Sequence, residues 1–277
     1  MKTEKIILNG NTFRFSFHPN ENTGQTVIFM FGALQDIESV ERYSKHFSQY
    51  VNCYSLELPG TGQTSVLDSR FSIQHQSEML LEFINHKQLD SVHLIVFSYA
   101  TAVAVELCKI WPNVLSMSVC CGVPGVPVSG RPATKVILGA ALQPNTEEFA
   151  SLFTKSLTVE DPEIPRNSAI IKATEKGVSK LQRERIDMFF ENTVRLFVYS
   201  PRDLSGIRTP TTVLVGEADP YVTVDEAKQF SNSLPSSQFL TIKNADHFIH
   251  LQHPKVVAET MIERAKSFVM AERTLIA

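Results

Sequence analysis

The chain has 277 residues, 43% of them hydrophobic and 20% charged, with a formal net charge of −3. That is enough apolar material for one large α/β domain, or for one domain carrying an inserted lid, and no window holds the roughly 18 uninterrupted apolar residues of a membrane-spanning helix. The slight acidity leaves no basic footprint, which argues against a nucleic-acid partner.

The opening residues Met1-Lys2-Thr3-Glu4-Lys5 lead into Ile6-Ile7-Leu8, an apolar run too short for a signal-peptide core, so the expected location is the cytoplasm. Lys5 to Leu8, the turn Asn9-Gly10-Asn11, and Thr12 to Phe17 read as a hairpin, because Phe13, Phe15 and Phe17 alternate beyond an Asn-Gly turn. Thr26 to Phe31 is a continuous apolar run, the pattern of a strand covered on both faces, and it ends at Gly32-Ala33-Leu34. Helical spacing follows from Ser39 to Tyr50, and Val51 to Leu58 returns to strand. After the turn Pro59-Gly60-Thr61-Gly62, Ser72 to Lys87 reads as a helix, Val92 to Phe97 as a strand, Thr101 to Ile110 as a helix and Val114 to Cys121 as a strand. Strands alternating with helices of this length imply βαβ crossovers and a mostly parallel α/β sheet.

The rhythm breaks after Gly122. Residues 124–207 carry helical patterns without a strand, which is too long for a loop, and we read them as a helical cap inserted into a core of residues 1–123 and 208–277. The βα alternation then resumes with a strand from Thr211 to Val215, a helix from Val224 to Asn232, a strand from Gln238 to Ile242 and a last helix from Pro254 to about Met270. Cys53, Cys108, Cys120 and Cys121 all lie in apolar or periodic segments and are expected as reduced, buried thiols, with Cys120 and Cys121 on opposite faces of one strand.

Three polar residues fall just past strand ends. Ser98 follows Leu94-Ile95-Val96-Phe97 and precedes a helix, Asp219 follows the Thr211 strand, and His247 follows the Gln238 strand. A serine hydroxyl becomes a nucleophile when a histidine takes its proton, and an acid fixes the tautomer of that histidine. Each residue also has an ordinary use: Ser98 as a helix cap, Asp219 as the turn residue of Asp219-Pro220, His247 as a loop side chain. Their joint placement favours the chemical reading, with Glu217 as a second candidate acid. An oxyanion needs two backbone N–H donors, expected from Tyr99 and from Ala33, with Gly32 easing the turn and Leu34 next in line. Around Ser98 a tight elbow asks for small residues two before and two after; Ala100 satisfies this and Val96 does not. His247, His250 and His253 share one segment, but the motifs H-x-H-x-D-H and H-E-x-x-H are absent, so neither a metal nor any other cofactor is expected.

On these residues the chain resembles the α/β-hydrolase superfamily over nearly its whole length: the order Ser98, Asp219, His247 is that of this fold. Leu58-Pro59-Gly60-Thr61-Gly62-Gln63-Thr64 resembles its D-x-P-G-x-G-x-S turn, with Glu57 and Thr64 as departures, and Phe31-Gly32 stands where His-Gly is usual. Asp219-Pro220-Tyr221-Val222-Thr223-Val224-Asp225-Glu226-Ala227-Lys228-Gln229-Phe230, with Gly32-Ala33 and Ala245-Asp246-His247-Phe248, is similar to the rhamnolipid-precursor synthases and 3-hydroxyacyl carrier-protein transferases. Their Ser-Trp-Gly-Gly elbow is Ser98-Tyr99-Ala100-Thr101 here. A second resemblance is to capped hydrolases that open N-acyl-homoserine lactones. These likenesses imply a serine hydrolase acting through an acyl-enzyme on a small-molecule ester or lactone with a medium or long acyl tail, an acyl-homoserine lactone first among them. The alternatives are an acyltransferase using 3-hydroxyacyl thioesters and a member of the fold that only binds ligand. Gly32, Leu34, Leu142, Phe149, Phe153, Phe189 and Tyr221 are the expected substrate contacts.

Overall fold

A computed structural model describes residues 2–263. The chain opens with β1 (Thr3–Leu8), β2 (Asn11–His18) and β3 (Thr26–Met30), then α1 (Ile37–Phe47), β4 (Asn52–Glu57), α2 (Ile73–His86), β5 (Val92–Phe97), α3 (Ala100–Ile110) and β6 (Val114–Cys120). Four helices follow without a strand: α4 (Arg131–Ala141), α5 (Thr146–Leu157), α6 (Asn167–Val178) and α7 (Arg183–Val198). Then come β7 (Thr211–Gly216), α8 (Val224–Asn232), β8 (Ser237–Ile242), the short α9 (Ile249–Gln252) and α10 (254–263). The last helix is expected to run to about Met270; residues 264–270 lie outside the described part.

The strands form one eight-stranded sheet in the order β1-β2-β4-β3-β5-β6-β7-β8. β1–β2 and β2–β4 pair antiparallel and the remaining neighbours pair parallel. The hairpin closes through Asn9 and Gly10, both at positive φ (45° and 80°), the backbone that a two-residue hairpin loop of matching twist requires. Every residue of β3, β5 and β7 is buried, because helices cover both faces. Successive residues of β5 alternate between two apolar layers. Leu94 and Val96 pack towards α2, α3 and α8, whereas Ile95 and Phe97 pack towards α1 and α10. A third cluster lies within α4–α7, where the rings of Phe149, Phe153 and Phe189 meet at centroid distances of 5.2–6.1 Å.

Glu57, fully buried, joins three segments beside the sheet edge. Its carboxylate takes a charged hydrogen bond from Arg14 at 2.8 Å and backbone N–H bonds from Ile37 at 2.8 Å and Gln63 at 2.7 Å. The departure to glutamate in the glycine turn is thus satisfied by partners on β2 and α1. No helix among the described residues is long and apolar enough to cross a membrane.

β6 ends one residue early, at Cys120, because Cys121 turns into the left-handed region at φ 48°. The two thiols therefore do not diverge as in a regular strand; both lie in the apolar layer that faces α1 and α10.

Candidate active site

The parallel strands deliver their carboxyl ends to one edge, and there the loops after β3, β5, β7 and β8 converge. Ser98 leaves β5 at φ 43°, a backbone that L side chains adopt at a cost, with its N–H on Cys120 O at 3.0 Å and its C=O taken by Thr101 N at 3.0 Å. Val96 is accommodated two residues before it because its side chain enters the apolar layer. The close approaches to Ser98 fall to glycines instead. A Cβ on Gly32 would lie 3.3 Å from Ser98 Cβ, and one on Gly122 would lie 3.0 Å from Ser98 O and 2.0 Å from Thr101 Oγ1.

The loops after β7 and β8 also touch through a glycine: a Cβ on Gly216 would sit 2.2 Å from Asp246 O. Ala218 N binds Ala245 O at 2.8 Å, so the two loops are sewn together. His247 Nδ1 is 2.8 Å from Asp219 Oδ2, and His247 Nε2 is 3.2 Å from Ser98 Oγ. Asp219 Oδ1 accepts from Tyr221 N and Val222 N, each at 2.9 Å. With Asp219 accepting at Nδ1, the His247 Nε2 lone pair is left for the serine proton. The structure thus brings together Ser98, Asp219 and His247, while Glu217 stands exposed with Asn244 N as its partner.

Several supports here are invisible as motifs. Asp246, buried and pushed above the usual carboxylate range by desolvation, accepts from Phe248 N at 2.9 Å and Gln252 Nε2 at 2.7 Å, which braces the His247 loop. Gln35 Oε1 accepts from Gly32 N–H at 2.9 Å, and its Nε2 donates to His250 Nε2 at 3.1 Å. Leu34 sits at φ 62°, and Arg185 of α7 donates to Leu34 O at 3.0 Å and to Gly62 O. Tyr99 is anchored by its hydroxyl, which reaches Gln76 Oε1 at 2.6 Å, Asn192 Oδ1 at 3.1 Å and Arg195 Nη1 at 3.2 Å. Arg195, 1% exposed, also donates to Asn192 Oδ1 and to the carbonyls of Leu67, Asp68 and Phe71.

Above Ser98 opens a cavity of about 370 Å³ between the sheet edge and α4–α7. Gly32, Ala33, Leu34, Phe153, Phe189 and Tyr221 line it, together with Tyr99. Two expected contacts do not. Leu142, 61% exposed, caps α4 and faces solvent, and Phe149, 1% exposed, is consumed by the ring cluster within the helices. Helical periodicity marks a buried face without saying whether a cavity lies behind it. Unexpected wall comes from α6, through the small residues Ala173, Thr174 and Gly177.

The three histidines diverge: His247 faces Asp219 and Ser98, His250 faces Gln35, and His253 Nε2 bonds Asn244 O at 2.9 Å. Among the described residues, the one grouping of metal-ligand type is Cys121, Asp219 and His247, whose ligand atoms lie within 4.8 Å of one another. It does not fit a metal, because both His247 nitrogens are engaged and burial holds the Cys121 thiol far above its ordinary pKa.

Burial depresses His93 to about 4 and His250 to about 3. An unfolded histidine titrates near 6.5, so below that pH the unfolded chain binds protons that the folded chain refuses. Stability is therefore expected to fall as pH drops from about 6.5 towards 4, by about 1.4 kcal/mol per pH unit for each such histidine. Thermal melts across that window check this, with a shallower slope expected for His93→Gln; a Tm independent of pH there would contradict it.

The comparisons with known proteins agree with this fold. The sequence profile of the alpha/beta hydrolase family matches residues 30–260. The chain is 22% identical over 274 residues to the (E)-2-((N-methylformamido)methylene)succinate hydrolase of Acinetobacter baylyi, covering 94% of this chain and 97% of that protein. It is 24% identical over 257 residues to the (R)-3-hydroxydecanoyl-ACP:CoA transacylase of Pseudomonas putida, covering 88% of this chain and 83% of the relative. Among solved structures, Est816, an N-acyl homoserine lactone degrading enzyme, superposes with a TM-score of 0.76 at 17% identity, covering 93% of this chain and 98% of that one. The chain belongs to the alpha/beta hydrolase family and is an enzyme of the hydrolase class.

Proposed function

We propose that the chain is a serine hydrolase that opens an ester or lactone of a medium- or long-chain acyl compound in the cytoplasm, with N-acyl-homoserine lactones as its substrates. The observation that carries this reading is the line from Ser98 through His247 to Asp219, at 3.2 and 2.8 Å, on the floor of a mostly apolar cavity. His247 Nε2 takes the Ser98 proton as the hydroxyl oxygen attacks the carbonyl carbon. The N–H groups of Tyr99 and Ala33 hold the oxyanion, each worth about 3 kcal/mol in the transition state. His247 then passes the proton to the departing alcohol oxygen, leaving the acyl group on Ser98. Water, deprotonated by His247, attacks that acyl carbon and restores the serine hydroxyl.

Residues 124–207 act in this reading as a cap that encloses the acyl tail. The described lining of the cavity contains no lysine or arginine, which supports a neutral tail over a dicarboxylate such as that named for the Acinetobacter relative. Each buried methylene favours binding by about 0.8 kcal/mol, so kcat/KM is expected to climb steeply from a C4 to a C12 homoserine lactone. The reaction is run in heavy-oxygen water and the product weighed: the label is expected in the new carboxylate. Equal turnover of the two chain lengths would count against the tail pocket.

The likeness to (R)-3-hydroxydecanoyl-ACP:CoA transacylases favours a second reading, in which the acyl-enzyme is resolved by a thiol or hydroxyl acceptor rather than water. Incubation with 3-hydroxyacyl thioesters and the mass of the product separate the two.

A further inference from the structure

The hydroxyls of Tyr221 and Thr134 lie 3.0 Å apart on the wall of the cavity. A third atom sets the direction of that bond. Thr134 Oγ1 is also 2.8 Å from the carbonyl oxygen of Gly130, one helical turn earlier, and a carbonyl only accepts. The single Thr134 proton is therefore spent on Gly130. Its oxygen accepts, and the Tyr221 proton goes to Thr134. What Tyr221 has left for a ligand in the cavity is lone pairs, with no donor.

Tyr221 is held in this pose from every side. Its N–H is on Asp219 Oδ1 at 2.9 Å, and its C=O accepts from Ser129 Oγ at 3.0 Å. Its ring stands edge-on to the His247 imidazole at 5.9 Å and 87°. Behind the ring, a Cβ on Gly130 would be 2.7 Å from Cε2, so only glycine leaves room for it. Burial raises the phenol pKa, which keeps the hydroxyl protonated at neutral pH. A rigid acceptor on the wall of the cavity that Ser98 also lines is placed to read a polar group on the acyl compound bound there.

We infer that Tyr221, oriented by Thr134, is a specificity-determining residue that selects acyl compounds bearing a hydroxyl within reach of its phenol oxygen. A hydroxyl there can donate to the phenol oxygen. A keto oxygen at the same carbon would face it lone pair to lone pair, and a plain methylene would leave it without a partner. The inference rests on the reading of Ser98 as the nucleophile and deepens it by naming the substrate chemistry.

Calorimetry on the Ser98→Ala protein with dodecanamide, 3-hydroxydodecanamide and 3-oxododecanamide tests it, since the three differ only at one carbon. The hydroxy compound is expected to bind about five- to tenfold more tightly than the plain one, and the oxo compound more weakly than the plain one. Adding Tyr221→Phe is expected to bring all three within about twofold. Adding Thr134→Val, which keeps the shape and removes the hydroxyl, frees the Tyr221 proton and is expected to lift the oxo compound above the plain one. Equal affinities, no binding by any of the three, or an order that survives Tyr221→Phe overturns the inference. The hydrolase reading is scored apart, by fluorophosphonate labelling of the unmutated enzyme: labelling without a hydroxyl preference sinks the Tyr221 role alone, and a preference without labelling sinks the hydrolase reading alone.

Discussion

Ser98→Ala is expected to lower kcat on a long-chain acyl ester by about a million-fold, and labelling by a fluorophosphonate is expected to vanish with it. His247→Ala should cost about as much, and the double variant no more than either, because in the proposed reaction the two side chains act as one unit: neither attacks nor accepts without the other. Steady-state rates of the two single variants and the double variant check this. Independent, multiplying losses would show that the 3.2 Å contact between Ser98 and His247 is not the operative one. The backbone adds a second readout. Ser98 sits at φ 43°, and alanine inherits that strain while glycine does not. Ser98→Gly is therefore expected to be about 1 kcal/mol more stable than Ser98→Ala while equally inactive. Denaturant titration of the two variants measures the difference.

The second large effect is at Asp219. Two backbone donors, Tyr221 N–H and Val222 N–H, converge on its Oδ1, so in Asp219→Asn the amide oxygen must stay on that side. The amide nitrogen then faces His247 Nδ1 and donates to it, which moves the ring proton to Nε2. That nitrogen can no longer receive a proton from Ser98. A loss of about ten-thousand-fold in kcat follows, with substrate binding and melting temperature nearly unchanged. Activity within tenfold of the parent enzyme would mean that Asp219 does not set the tautomer.

The core was legible where local chemistry marks its own limits. β5 ends where Phe97 meets Ser98, and α8 begins at the Thr223–Glu226 capping box, so both spans are those the sequence implies. α9 was not legible, because four residues between Phe248 and His253 carry no period. Ser98, Asp219 and His247 could be picked out because each follows an apolar strand, and the parallel topology carries such positions to one edge. Gln35 and His250 carry no such mark: they are 215 residues apart, and each alone looks like an ordinary polar residue near a helix. The same holds for Arg195, which a helical wheel assigns to solvent and the structure buries against carbonyls 124 to 128 residues away. In the inserted helices the pattern identified apolar faces without separating Phe153, which meets the cavity, from Phe149, which does not.

The attachment of the inserted helices is lopsided, and this bears on how the enzyme can be reshaped. α7 is riveted to the stretch between β4 and α2: Arg185 holds Gly62, Asn192 holds Gly60 at 2.7 Å, and Arg195 holds Leu67, Asp68 and Phe71. α6 is fastened at its first turn, by Asn167 to Asp246 and Arg166 to Leu251, and meets the cavity further along with Ala173, Thr174 and Gly177. A library aimed at the chain length of the proposed substrate belongs at those three small positions, where an added side chain narrows the cavity without unpicking a rivet. Diversity at Asn192 or Arg195 would be spent on misfolded clones.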